Sequence, residues 1–447
     1  MNRDQHGELL PRSLGLIGAI AVLVGTTIGS GIYRVPATVA ARVGEPGAFM
    51  MVWVIGGVLA LFGALTLAEM AAMYPRSGGV FAFLEEGLGR LPAFLFGWSQ
   101  LSLTRAAALG GISTIFAEYL GRFIALSDQQ VHYVAAGLIF LVGLLNYIGI
   151  KRAAAVISVA TLAKYVALIA LVVLAFATGG GSSANFSPVW AGTVGLSAVA
   201  TALVPVMWAY DGWADITYMS GEVKEPGRTL PRALILGTLM IILIYISINA
   251  AYLYMVPIQE MAGQRLIAAT AAERIPVLGA IAAPAIAVVV LISTFSSVIG
   301  SMMSSPRIFF AMADRGLFFQ GIAKVSPRFQ SPAPAIWLAT TLGVVYVLFN
   351  DFQQLADRFI LGIWPFYILA VVGMFRLRRT KPDADRPYRV IGYPVVPIIF
   401  LLASTAMVIN ALLTDPVNTG ITFGIILLGI PIYYIWQWRK RAKGVTE

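Results

Sequence analysis

The 447-residue sequence predicts an all-α membrane protein with twelve transmembrane helices: an inverted repeat of five plus five, followed by two extra helices. Three observations carry this expectation. First, the chain is 59% hydrophobic and only 12% charged, against about 25% charged in soluble domains. Second, apolar stretches able to cross about 30 Å of hydrocarbon recur twelve times. Third, the first and sixth stretches are interrupted near their middles. Five helices precede the sixth, so it crosses from the opposite face, and the two breaks occupy equivalent positions of inverted halves.

The stretches lie near 14–41, 47–73, 93–120, 131–149, 153–178, 194–219, 231–256, 277–303, 334–350, 356–376, 394–413 and 419–438. All belong to one integral membrane unit, with repeat one at about 14–178, repeat two at about 194–376 and the extra helices at about 394–438. The fourth and fifth stretches, and the eleventh and twelfth, are separated by short turns, as in helical hairpins. Two connectors, SGGVFAFLEEGLGRLP and ADRGLFFQGIAKVSP, are amphipathic and are expected to lie as short helices along the membrane surface. Basic residues set the orientation. One set of loops holds Arg3, Arg12, Arg76, Arg90, Lys151, Arg152, Lys224, Arg228, Arg232, Arg315, Lys324, Arg328, the run Arg376 to Arg389 and the tail Arg439 to Lys443. The other set holds only Arg42, Arg122, Arg265 and Arg274. Basic loops stay inside, so both termini are expected to be cytoplasmic.

The first break is the run GTTIGSGIYRVP, Gly25 to Pro36. Glycine costs roughly 1 kcal/mol against alanine inside a helix, so Gly29, Ser30 and Gly31 mark a point where the helix unwinds. Gly29 lies roughly 22 Å along the first helix at 1.5 Å per residue, near the bilayer midplane. The second break is in VPVMWAYDGWADITYMSGE, at Asp211-Gly212. Unwinding frees N–H groups at the start of a half-helix, where the partial positive charge suits a carboxylate. It also frees carbonyls, from Thr27 and from Trp208 to Asp211, that can accept from an ammonium group. Donors on one side and acceptors on the other fit an α-amino acid zwitterion. Irregular backbone at this depth is tolerable where it lines such a cavity.

Other functions are disfavoured. The chain has no cysteine, which removes disulfides, thiol catalysis and Cys-ligated zinc. His6 and His132 are its only histidines, so no metal or cofactor is expected. The net charge of +10 has no aromatic-interleaved basic patch on a soluble domain, which argues against nucleic acid. The polar start MNRDQHGELLPRS lacks the form of a signal peptide. An intramembrane enzyme needs paired carboxylates or histidines, whereas Glu69, Glu118 and Asp211 stand in separate contexts. A channel needs a repeated filter, and the sequence has none.

The motifs, taken together, resemble the amino acid–polyamine–organocation (APC) superfamily with its LeuT-like fold, and within it the bacterial form of the L-type amino acid transporter branch. The likeness runs from about Leu14 to Trp438. It rests on GTTIGSGIYRVP, EMAAMYPRSGGVFAFLEEGLG, TRAAALGGISTIFAEYL, WAYDGW with GEVKEP, STFSSVIGSMMSSPRIFFAMADRGLF and RPYRVIGYPVVP. The resemblance implies that the amides of Ser30, Gly31 and Ile32 hold a substrate carboxylate. It implies that carbonyls of Thr27, Trp208, Ala209 and Asp211 hold the amino group, and that Trp208 gates the site. Lys164 matches a lysine of sodium-independent members, standing where relatives bind an ion, with Ser293, Ser296 and Ser297 as neighbours. Arg105 matches an arginine of this branch and is read as structural, needing an acidic or carbonyl partner, with Glu69 and Glu118 as candidates. Arg34 and Asp211 depart from the family pattern and lie on half-helices where they can pair. Animal members join a heavy subunit through a cysteine; with none here, no disulfide-linked heavy subunit is expected.

The function implied is sodium-independent exchange of neutral L-amino acids across the inner membrane of a bacterium, with amino acid and lipid bilayer as the only partners. The alternatives are a proton-coupled amino acid symporter and a cationic amino acid or polyamine carrier. Trp208, Trp213 and Trp364 favour a partly filled pocket and neutral substrates.

Overall fold

A computed structural model describes residues 12, 14–76, 78–148, 153–314, 316–317, 320–324, 326, 328–329, 331 and 333–442. Arg3, Lys151, Arg152, Arg315 and Lys443 of the basic set lie outside the described residues, as does part of the connector 313–327. Among the described residues the chain is helical without strands; one isolated parallel bridge joins Leu14 to Val223.

The first helix is indeed broken. α1 (Leu16–Thr27) ends in an irregular turn, a 3₁₀ turn follows at Gly31–Tyr33, and α2 (Val35–Val43) resumes the path. Pro36 suits the first turn of α2, where no N–H partner is needed, and Gly44 ends it with φ +65°. α3 (Pro46–Met73) is followed by α4 (Val80–Leu88) and α5 (Arg90–Ser99). A π-helical turn, Gln100–Thr104, joins α5 to α6 (Arg105–Leu120). The extra residue in that turn is held by Thr104, whose hydroxyl donates to the Ser99 carbonyl at 3.1 Å. α7 (Asp128–Ile148), α8 (Ala153–Ala177) and α9 (Leu196–Tyr210) come next. α9 stops at Asp211, and the chain continues as a 3₁₀ helix, Asp215–Glu222, into α10 (Pro226–Met255).

Two short helices, α11 (Ile258–Met261) and α12 (Ile267–Glu273), precede the long α13 (Ala282–Asp314) and α14 (Ala333–Phe349). α15 (Phe352–Thr380) starts from a capping box. The Asp351 carboxylate accepts from Gln354 N–H at 2.8 Å, and Gln354 Oε1 accepts from Asp351 N–H at 3.1 Å. α16 (Val395–Thr414), α17 (Pro416–Leu427) and α18 (Gly429–Ala442) finish the chain.

Among the described residues, seven helical segments are long and apolar enough to cross a membrane: Pro46–Met73, Asp128–Ile148, Pro226–Met255, Gly279–Met302, Phe352–Thr380, Val395–Thr414 and Pro416–Trp438. Of the remaining expected stretches, the fifth is the 25-residue α8, and the others are helical but shorter or interrupted. α1 has 12 residues, α9 has 15 and α14 has 17. The first two are short because the chain breaks there, and the third expected helix is split by the π turn.

The first connector forms the short helix α4. Val80 to Leu84 of α4 are all buried. A Cβ on Gly87 would lie 2.7 Å from Gly373 Cα, so α4 packs backbone to backbone against α15. The apolar side of the amphipathic pattern is the side that packs on protein.

Candidate functional site

The two breaks meet. A Cβ on Gly31 would sit 2.7 Å from Ala209 Cα and 3.2 Å from Trp208 Cδ1. A Cβ on Gly212, at φ +110°, would sit 2.9 Å from both N and Cα of Thr27. Each break thus has its glycine pressed against the other's backbone, a distance no other residue type allows. The N–H groups of Ser30, Gly31 and Ile32 make no backbone hydrogen bond among the described residues, whereas those of Tyr33 and Arg34 close the 3₁₀ turn onto Ser30 and Gly31 carbonyls. Three adjacent donors are left over, in buried surroundings.

The carbonyls are differently occupied. Thr27 O accepts from Gly29 N–H at 2.7 Å, and Trp208 O accepts from Asp211 N–H at 3.3 Å. Tyr245, fully buried on α10, places its hydroxyl 3.0 Å from Thr27 O and 2.9 Å from Ala209 O. Its single proton is shared between a carbonyl of each break. Tyr245 is a site residue that the sequence reading did not include. The signal was a tyrosine with Asn249 within a mostly aliphatic span.

Trp208, 8% exposed, closes over the first break. Its ring meets Phe352 at 5.9 Å and Phe359 at 5.0 Å, both edge to face, and lies 2.8 Å from where a Gly111 Cβ would be. Trp364 stacks instead on Phe400 at 5.6 Å, and Trp213 packs on Tyr367 at 5.2 Å and against Gly63. Both are fully buried packing residues, so of the three tryptophans expected near the site only Trp208 faces the break at Gly31.

Lys164, 1% exposed on α8, donates from Nζ to the Gly25 carbonyl at 2.8 Å, tying α8 to the last turn of α1. α13 lies beside the same break: Ser297 Oγ is 3.8 Å from a Gly29 Cβ position. Ser296 donates to Ser293 O at 2.8 Å. The buried hydroxyls of Ser293 and Tyr33 face one another without a well-formed hydrogen bond.

The charged residues pair otherwise than the sequence implied. Arg34 bonds Glu118 at 3.0 Å, not Asp211, with the guanidinium 5.4 Å over the Phe352 ring. Glu69 accepts from Arg378 and from Val390 N–H at 2.9 Å, and forms an ion pair with Arg386 at 3.5 Å. Neither acid is therefore left for Arg105. Its Nε donates to Gln100 at 2.9 Å, and its charge acts on Asp211 and Asp215. Asp211 accepts from the Tyr367 hydroxyl at 3.4 Å. Arg105 follows directly on the π turn, whose extra residue shifts the register of the helix. Among the described residues no group of three acid or histidine side chains is placed to hold a metal.

An all-helical membrane chain whose two broken helices meet, one of them with three unpaired backbone amides, has the making of a solute carrier. Residues 14–436 match the family described as amino acid permease, and the chain belongs to that family of amino acid transporters. It is 30% identical over 446 residues to the serine/threonine exchanger SteT of Bacillus subtilis (strain 168), covering 99% of this chain and 100% of that one. It is 28% identical over 452 residues to the b(0,+)-type amino acid transporter 1 of Mus musculus, covering 98% and 92%. It is 29% identical over 452 residues to the cystine/glutamate transporter of Homo sapiens, covering 99% and 89%.

Proposed function

We propose that the chain is a sodium-independent exchanger of neutral L-amino acids, working by alternating access in a LeuT-like five-plus-five arrangement with two further helices. The carrying observation is the meeting of the two breaks with three unused amides, Ser30 to Ile32, beside it. In this reading those amides take the substrate carboxylate. The ammonium group goes to the free lone pairs of Trp208, Ala209 and Asp211 carbonyls; Thr27 O, already accepting twice, contributes least. Trp208 is the gate, since its ring must swing from Phe352 and Phe359 for a ligand to pass. Lys164 supplies the positive charge that a bound ion supplies elsewhere, with Ser293 and Ser296 in its neighbourhood. Arg105 offsets Asp211, which favours neutral side chains. Both termini face the cytoplasm of a bacterial cell, and no disulfide-linked subunit is needed.

Counterflow in proteoliposomes tests this. L-serine and L-threonine are the first probes, because one relative is named for exchanging them. Uptake is expected only into vesicles preloaded with an amino acid, and unchanged when choline replaces sodium. Steep sodium dependence ends the Lys164 assignment. Accumulation in empty vesicles on an inward proton gradient selects the symport alternative. A second reading, cationic substrates, draws on Asp215, which adds another carboxylate beside Asp211 against the single Arg105. Preference for L-lysine or L-arginine over L-serine in the same assay selects it.

A further inference from the structure

A cavity of about 280 Å³ lies apart from the helix breaks, where α2 ends and where α15 and α17 begin. Its walls come from α9, α15, α16 and α17, with Arg42 of α2 at one side. Most of its charged groups are already committed. Arg42 donates to Thr201 O and lies 3.8 Å from Asp357. Asp357 also accepts from Gln353 Nε2 at 2.7 Å. Asp351 caps α15, and Asp415 caps α17 through Asn418 N–H at 3.2 Å.

Two groups remain. Arg358 makes no ion pair among the described residues, and its buried Nε has no hydrogen-bond partner. Gln353 Oε1 is likewise buried without a partner. A buried donor or acceptor left unmade is costly, about 1–3 kcal/mol, and such groups call for an explanation. Here the Nε of one guanidinium and a carbonyl oxygen are unmet on two residues that line one polar cavity. A guanidinium selects a carboxylate by two parallel bonds. The carbonyl oxygen selects an N–H donor, with the Asp357 carboxylate beside it favouring a positive one. A simple anion would satisfy Arg358 but leave Gln353 Oε1 unmet and add negative charge next to Asp351, Asp357 and Asp415. The volume is just under the usual lower limit of roughly 300 Å³ for ligand pockets, so the occupant is small.

We propose that this cavity is a second amino acid site, binding a small zwitterionic amino acid by its carboxylate at Arg358 and its ammonium group at Gln353 and Asp357. It shares no residue with the two breaks. Its walls α9 and α15 carry Trp208 and Phe359, which pack together at 5.0 Å, so an occupant braces the two helices that hold the central aromatic.

The absence of cysteine provides the test. Thr414, on the cavity wall and exposed, is changed to cysteine, and labelling by a charged methanethiosulfonate is timed with each of the nineteen non-thiol amino acids. At about 10 mM ligand, a site with a dissociation constant of roughly 2 mM slows labelling about sixfold. At least one amino acid is expected to do this. The slowing should persist with Gly31→Val, which disables the central site, or with Trp208→Leu if that variant is not monodisperse. It should be lost with Arg358→Gln. Transport is not read, so failure of the exchanger reading leaves this result standing, and the converse holds. The proposal is overturned if no amino acid protects, if protection survives Arg358→Gln, or if it disappears with the central site. Equal protection by acetate or inorganic phosphate overturns the zwitterion assignment.

Discussion

Gly31 and Gly29 are two residues apart in the same unwound turn, yet their tolerance to alanine should differ sharply. A methyl group on Gly31 would meet Ala209 Cα at 2.7 Å, Ala209 Cβ at 3.0 Å and Trp208 Cδ1 at 3.2 Å. Two of these atoms belong to the backbone end of α9 and cannot rotate away. Overpacking of this kind costs about 1–3 kcal/mol. If the breaks part to relieve it, the backbone groups around them lose register, and the cost appears in binding. At 1.4 kcal/mol per tenfold, Gly31→Ala weakens amino acid binding roughly 5- to 150-fold. A methyl group on Gly29 meets nothing nearer than Ser297 Oγ and Thr26 O, both at 3.8 Å. Its φ is not left-handed, so Gly29→Ala should stay within about twofold, the propensity effect being small outside a helix. The assay is equilibrium binding of a labelled amino acid to purified protein, with thermal melting alongside. Wild-type affinity and melting in Gly31→Ala, or equal damage from Gly29→Ala, refutes the close approach of the two breaks as the basis of the site.

Tyr245→Phe removes the hydroxyl shared by Thr27 O and Ala209 O; a loss of about 0.5–1.5 kcal/mol is expected, read as a lower melting temperature together with weaker binding. Arg34→Ala strands Glu118, whose side chain is 8% exposed, and should cost about 3 kcal/mol; the double variant Arg34→Ala with Glu118→Gln should regain much of that in thermal melting, and no recovery would mean the pair is incidental. Lys164→Ala leaves the α1–α8 junction without its bond to Gly25 O and should abolish counterflow while the protein remains monodisperse; wild-type flux in that variant makes the lysine a bystander. Glu45, outside the spans, is held below the usual carboxylate range, first by the Thr193 hydroxyl, then by the backbone N–H groups of Thr193 and Ala191. A depressed carboxylate stabilises above its ordinary pKa and loses that contribution as pH falls through the lowered value, so acid, not base, should free the 191–193 loop. Trp190 fluorescence against pH checks this, and Glu45→Gln should show no acid transition.

Much of this protein is determined by local sequence. A hydrophobic content of 59% forces helices in a membrane, because unpaired backbone cannot sit in hydrocarbon. The breaks were legible for the same reason: Gly29-Ser30-Gly31 and Asp211-Gly212 are residues that a regular buried helix does not favour, and the chain unwinds at both. Lys164 was legible because a lone lysine deep in an apolar stretch must find an oxygen, and it finds Gly25 O.

What the sequence could not settle is partnership across the fold. Arg34, Arg105, Glu69 and Glu118 are each visible as charges needing a partner, but which acid meets which base depends on helix rotation. One π turn before Arg105 changes that rotation, and Arg378 and Arg386 reach Glu69 from more than three hundred residues away. Tyr245 was hidden for a related reason. A tyrosine in a long apolar helix looks like packing until its hydroxyl is found between two broken backbones. Hydropathy and backbone propensity are properties of neighbours in sequence. Hydrogen-bond and ion-pair choice is a property of neighbours in space, and only the assembled bundle decides it.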